Sequence, residues 1–135
     1  MRCIFCEIIS GTLLKRQIYE DEHTLAFLDI ADDVNGHTIA VPKKHVNNIL
    51  DCDGETLAHL MQTVQLISKH YVDHCGYQGI NLLNASGVEA QQSVPHFHIH
   101  IIPRKSGDGI DAWPVFTGST QSADAMHRKL KIDNP

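Results

Sequence analysis

The chain is poor in the features that mark several large protein classes. Trp113 is its single tryptophan, aromatic residues make up 6%, and only five prolines are spread over 135 positions. No apolar run approaches the roughly 18 residues a bilayer span needs, because stretches such as Phe97 to Pro103 are broken by histidine or proline. A membrane-spanning helix is therefore not expected. Collagen-like, low-complexity and repeat patterns are missing as well. Basic residues are in deficit, 11 Lys and Arg against 16 Asp and Glu for a formal net charge of -5. That balance disfavours a nucleic acid polymer held by counterion release and favours a small ligand. The apolar start, Cys3 to Ile9, is interrupted by Glu7 and closed by Ser10-Gly11, unlike a secretory leader. A cytoplasmic location is the expectation.

With 42% hydrophobic residues, the length suits one domain spanning 1–135, with a core at about 3–113 and a tail at 114–135. A knuckle at Cys3-x-x-Cys6 leads into one or two helical turns that Gly11 ends. Short β-prone runs follow at Ile18–Glu20, Thr24–Asp29 and His37–Val41, the last two parted by the turn-rich Asp32–Gly36. Leu57, Leu60, Met61, Val64, Ile67 and Tyr71 recur at intervals of three and four, one face of a helix over about 53–75, with Asp51 or Asp53 as cap. Strands resume at Gly79–Asn84 and His96–Pro103, around a polar loop at 85–92. A terminal helix over 122–132 would turn Ala123, Met126 and Leu130 inward. Runs of strands around one long helix imply an α+β domain, an antiparallel β-sheet of about five strands covered on one face.

Ten histidines are many for this length. His23, His59, His70, His74 and His127 lack any partner pattern and read as surface residues. In His96-Phe97-His98-Ile99-His100-Ile101, by contrast, the two-residue period of a strand puts three imidazoles on one face and the apolar side chains on the other. Adjacent histidines on one face are spaced about 6.6 Å apart and the outer two about 13 Å. A metal ion with bonds of about 2 Å cannot gather all three, so one at least stays free. His98, in the middle, is the expected nucleophile: a neutral imidazole can attack phosphorus when an acceptor, such as a nearby strand carbonyl, holds its other nitrogen.

That alternation, preceded by Gln92-Ser93-Val94, resembles the signature of the histidine triad nucleotide-binding family. Phe27-Leu28-Asp29-Ile30 is similar to the family's ribose-binding strand, and Gly36-His37-Thr38-Ile39-Ala40-Val41-Pro42-Lys43-Lys44-His45 to the strand and turn that follow. The resemblance runs from Cys3 to about Trp113. It implies a nucleotide hydrolase or transferase acting at an α-phosphate through a nucleotidyl-histidine on His98, with nucleoside phosphoramidates or dinucleoside polyphosphates as substrates. His100 would touch the phosphate and His37 would support the catalytic ring. Asp29, beside Leu28, would accept from the ribose hydroxyls. Phe5, Leu13 and Phe27 would receive a purine base, and Ser93 with the backbone of Gln92 to Val94 the phosphate oxygens. The resemblance also implies a homodimer and a structural zinc on Cys3, Cys6, His45 and His96, a four-ligand set that leaves no position for water.

Two departures stand out. Gln91 occupies the place where the family usually has glycine, and Ala85 stands where an Asn or Gln is usual, with Asn84 next to it. A catalytically weak nucleotide-binding or interaction protein on the same fold is the alternative these changes raise. A metalloenzyme using the His-x-His pair as catalytic ligands is a third, though the strand itself offers no acidic ligand.

Overall fold

The computed structural model describes residues 3–133; positions 1–2 and 134–135 of the expected domain lie outside the described residues. In chain order the elements are α1 (Ile4–Ser10), β1 (Gln17–Glu20), β2 (Thr24–Leu28), β3 (Thr38–Pro42), α2 (Gly54–His74), β4 (Gly79–Leu83), a 3₁₀ turn (Val88–Ala90), β5 (Ile99–Arg104) and α3 (Ala123–Leu130). The strands form one antiparallel sheet in the order β1-β2-β3-β5-β4. This is the expected α+β arrangement of five strands and one long helix.

Helix α2 forms because its apolar positions fall on one stripe and because Asp53 caps it, its carboxylate accepting from the Thr56 N–H at 3.1 Å. Asp51 instead accepts from Asn47 and Asn48 and shapes the turn before it. Leu60, Val64, Ile67 and Tyr71 are buried against Ala26, Ala40, Phe97, Ile99 and Ile101 of the sheet. Met61 departs from the expected pattern: it is 39% exposed, because at the margin of the stripe it looks past the sheet toward Leu82 of edge strand β4. On the opposite face of the sheet, Phe5 and Ile8 of α1 pack on Leu25, Phe27, Ile39 and Val41, forming a second, smaller core.

Two expected spans need correction. The ladder of β5 begins at Ile99 and not at His96, since the Phe97 N–H bonds to the carbonyl of Val46 in the loop after β3. The side-chain alternation nonetheless runs through His96, with Phe97, Ile99 and Ile101 in the α2 core. Helix α3 forms behind its Ser122 cap but fully buries no residue: of the expected inward face Met126 is half-buried, while Leu130 is 70% exposed and Ala123 is open.

Gly36 sets the entry to β3. Its φ is +78°, and a Cβ there would lie 2.8 Å from Pro103 Cγ. Replacing Gly36 with alanine combines a left-handed backbone with a clash against β5. We expect Gly36→Ala to lose about 2–4 kcal/mol in denaturant unfolding. A loss below about 0.5 kcal/mol would contradict this account of the turn.

Candidate functional site

The face of β2, β3 and β5 not covered by α2 meets α1 and the loop before β5. Between them lies a cavity of about 370 Å³. Of the residues singled out in the sequence, Phe5, Leu13, Phe27, Leu28, Asp29, Ser93, Val94, His98 and His100 line it. Ile4, Ile8, Leu14, Lys15, Ile30 and Ile39 also line it and were not assigned a role, because the five apolar side chains carry no mark that sets them apart from core residues and a lone loop lysine reads as surface. One end of the cavity is apolar and the other is histidine and carboxylate.

His98 is buried, at 5% exposure. Its Nδ1 lies 2.8 Å from the backbone oxygen of His96. A carbonyl can only accept, so Nδ1 carries the hydrogen and Nε2 keeps its lone pair. The strand carbonyl expected as acceptor is thus in place. Burial lowers the pKa of His98, opposed by that hydrogen bond, so the neutral ring is favoured. Phe5 stands edge-on to the ring at 5.0 Å. From behind, Asn84 Nδ2 donates to the His98 carbonyl at 2.8 Å.

His37 lies just ahead of β3 and reaches across to β5, its Nε2 2.8 Å from His100 Nδ1. Its Nδ1 is 2.8 Å from Asp33 Oδ1. The carboxylate only accepts, so the hydrogen of neutral His37 sits on Nδ1, and Nε2 accepts from His100. Asp33 was not singled out in the sequence; the only signal was an acidic residue four positions before a histidine, across a turn. Its own pKa is lowered by the hydrogen bond from His37. Burial, with the neighbouring His98 and His37, pushes His100 down to about 4. Asp29 follows β2 directly and accepts from the Ala31 N–H, while its second oxygen lies 3.4 Å from His37 Nε2.

Gln92 does not line the cavity. Its amide donates to the carbonyls of Asn47 and Val94, and its oxygen accepts from the Gly87 N–H. It braces the loop that presents Ser93 and Val94. Gln91 also lies outside the cavity and is exposed, with φ +70°, so a glycine there would suit the backbone without opening the pocket. We expect Gln91→Gly to stabilise the fold by about 1 kcal/mol by relieving the left-handed strain, raising Tm by about 3–5 °C in calorimetry. A drop in Tm would mean that the glutamine side chain holds the loop.

Cys3, Cys6, His45 and His96 come together at the other end of the histidine row, their donor atoms all within 4.8 Å of one another. Cys3 Sγ is 3.4 Å from His96 Nδ1, and Cys6 Sγ is 3.3 Å from His45 Nδ1 and 3.6 Å from His96 Nδ1. A sulfur and a nitrogen on one tetrahedral zinc, at about 2.3 and 2.0 Å from it, would be about 3.6 Å apart. The donor set fits that ion. His96 Nε2 donates to the Pro42 carbonyl at 2.8 Å, which turns an unprotonated Nδ1 toward the thiols. Burial pushes the Cys6 thiol up to about 11, and the hydrogen bond and charge of Cys3 add to the shift. A dication would reverse that by favouring the thiolate. The remaining cysteines, Cys52 and Cys75, are free and distant from this group.

An α+β domain with a row of histidines between a four-donor cluster and an apolar cleft is a recognisable class of small-molecule site. Residues 12–107 match the HIT domain, and the chain belongs to that family. It is 44% identical to Protein hit of Bacillus subtilis, over 96% of this chain and 91% of that one. It is 32% identical to adenosine 5'-monophosphoramidase hnt1 of Schizosaccharomyces pombe, over 96% of each. A zinc-bound histidine triad family protein from Mycobacterium smegmatis superposes with a TM-score of 0.78 at 36% identity, over 83% of this chain and 81% of that one.

Proposed function

We propose that the protein hydrolyses nucleotides at the α-phosphate through a nucleotidyl-histidine on His98, with nucleoside phosphoramidates as the favoured substrate class. The observation that carries this reading is the His98 ring, fixed by the His96 carbonyl with Nε2 unprotonated beside the cleft. In the first step Nε2 bonds to the α-phosphorus and the bond to the amine breaks, the amine leaving with a proton taken from solvent. The phosphorylated ring is then cationic at Nδ1–H, and the His96 carbonyl stabilises that charge. In the second step water attacks phosphorus and gives up a proton to solvent, the P–N bond breaks, and the nucleoside monophosphate leaves with His98 neutral again.

Phe5, Leu13 and Phe27 supply an apolar wall for a purine, and Asp29 two acceptor oxygens for ribose hydroxyls. Ser93, Val94 and His100 bound the phosphate position. The similarity to a protein named adenosine 5'-monophosphoramidase supports an adenosine substrate. Neither Gln91 nor Asn84 intrudes on the cleft, so the side chain at 91 does not narrow it. Incubation with adenosine phosphoramidate should release the monophosphate and ammonia. Nucleotide binding without any release would favour the recognition role instead.

Zinc on Cys3, Cys6, His45 and His96 belongs to the same reading, as a closed site that supplies structure and no chemistry. So does a homodimer. Strand β4 is an open sheet edge, its Leu82 and Leu83 are 45% and 42% exposed, and Met61 of α2 beside Leu82 is 39% exposed. A second copy paired across that edge would cover them. Light scattering should return twice the chain mass, and a monomer at micromolar concentration would contradict it. Four free cysteines suit a reducing compartment, in keeping with a cytoplasmic protein. Among the described residues no helix is long and apolar enough to cross a membrane.

A further inference from the structure

The histidine row has a second group of converging donors at the end away from the cysteines. His37 Nε2 and His100 Nδ1 are 2.8 Å apart, Asp29 Oδ2 is 3.4 Å from His37 Nε2, and all three residues offer donor atoms within 4.8 Å of one another. Two donors bound at about 2.1 Å and at right angles around one ion sit about 3.0 Å apart, and the pairs at 2.8 and 3.4 Å lie near that spacing. A shell beyond the donors is also built. Asp33 accepts from His37 Nδ1 at 2.8 Å, leaving Nε2 as the coordinating nitrogen, the carboxylate–histidine arrangement that orients metal-bound imidazoles. The side chains of His37 and Asp29 are 10% and 18% exposed, sheltered yet reachable from the cleft.

We propose that Asp29, His37 and His100 form a second metal site, of the two-histidine, one-carboxylate kind, that takes a divalent transition ion such as Ni²⁺ in competition with the nucleotide. Binding requires one rearrangement. His100 moves its hydrogen from Nδ1 to Nε2, so both rings remain neutral and the hydrogen bond between them gives way to two metal–nitrogen bonds. Nitrogen and oxygen donors suit nickel, and with zinc already filling the thiolate cluster this site is the one left for the added ion. The competition follows from position: Asp29 and His100 line the cleft, and an ion held there occupies the space of the ribose and phosphate. This part rests on the functional reading above; the metal site rests on the donor geometry alone.

Untagged, zinc-loaded protein titrated with Ni²⁺ in a calorimeter should take up one ion per chain while elemental analysis shows its zinc retained. His37→Gln should weaken nickel binding at least about a hundredfold and Asp29→Asn about tenfold or more. Asp33→Asn, which leaves all three donors present, should weaken it about ten- to a hundredfold. Adenosine monophosphate added in excess should reduce apparent nickel affinity. No nickel binding would overturn the site, as would binding unchanged in His37→Gln or binding that depends on His59, since His23 and His59 stack at 3.7 Å elsewhere on the surface. Nickel bound as expected by a protein that releases nothing from a phosphoramidate would support this site and count against the proposed hydrolysis.

Discussion

Replacing His98 with glutamine should lower phosphoramidate turnover by at least about 10³-fold while leaving nucleotide affinity within about tenfold of the parent. The reason is geometric. Glutamine keeps a polar group that can donate to the His96 carbonyl, so the local fold survives, but no lone pair of comparable nucleophilicity faces the cleft. A loss this large with binding preserved separates a nucleophile from a residue that only binds the ground state. Asn84→Ala tests the support behind it: losing the amide that donates to the His98 carbonyl should reduce turnover far less, about three- to thirtyfold, with a stability loss near 1 kcal/mol. If His98→Gln retained more than a tenth of the parent rate, His98 would not be the attacking group.

The second large effect concerns the cysteine cluster. Protein carrying Cys3→Ser and Cys6→Ser together should hold under a tenth of an equivalent of zinc and melt about 10 °C or more below the parent. Metal binding to a site that is assembled only in the folded chain is folding free energy, and this site ties α1 to the segment leading into β5. The loss should reach the chemistry, because the residue whose Nδ1 faces the thiols gives its carbonyl to His98. Activity should therefore fall together with zinc content even below the melting temperature. Unchanged melting and activity in the zinc-free variant would reduce the cluster to a coincidence of side chains.

Much of this arrangement was legible because chemistry and periodicity coincide in the histidine row. Alternation alone separated His98 and His100 from the core residues Phe97, Ile99 and Ile101, and Leu60, Val64, Ile67 and Tyr71 marked the buried stripe of α2. The start of the β5 ladder was not legible, since Phe97 bonds to Val46, a partner fixed only by tertiary placement. Helix α3 misled for the opposite reason: amphipathic spacing promises an inward face, yet Leu130 is 70% exposed and of that face only Met126 is half-buried. The side chain of Gln92 was not legible as a brace, because Asn47, Asn48 and Gly87, three of its four partners, meet it only through the fold. Asp33 was hidden in a turn-rich run where acidic residues commonly serve the backbone. Only the fold turns it toward His37.

The most direct test is the covalent state of the enzyme during turnover. Protein mixed with adenosine phosphoramidate, quenched within milliseconds under alkaline conditions and mapped by mass spectrometry should carry one adenylyl group per active chain on the peptide containing His98, formed before the monophosphate appears and lost on the same time course. Fragmentation should place it on the middle ring of the row. Steady release of product with no adduct at any time, or an adduct on His100 or His37, would contradict attack by His98.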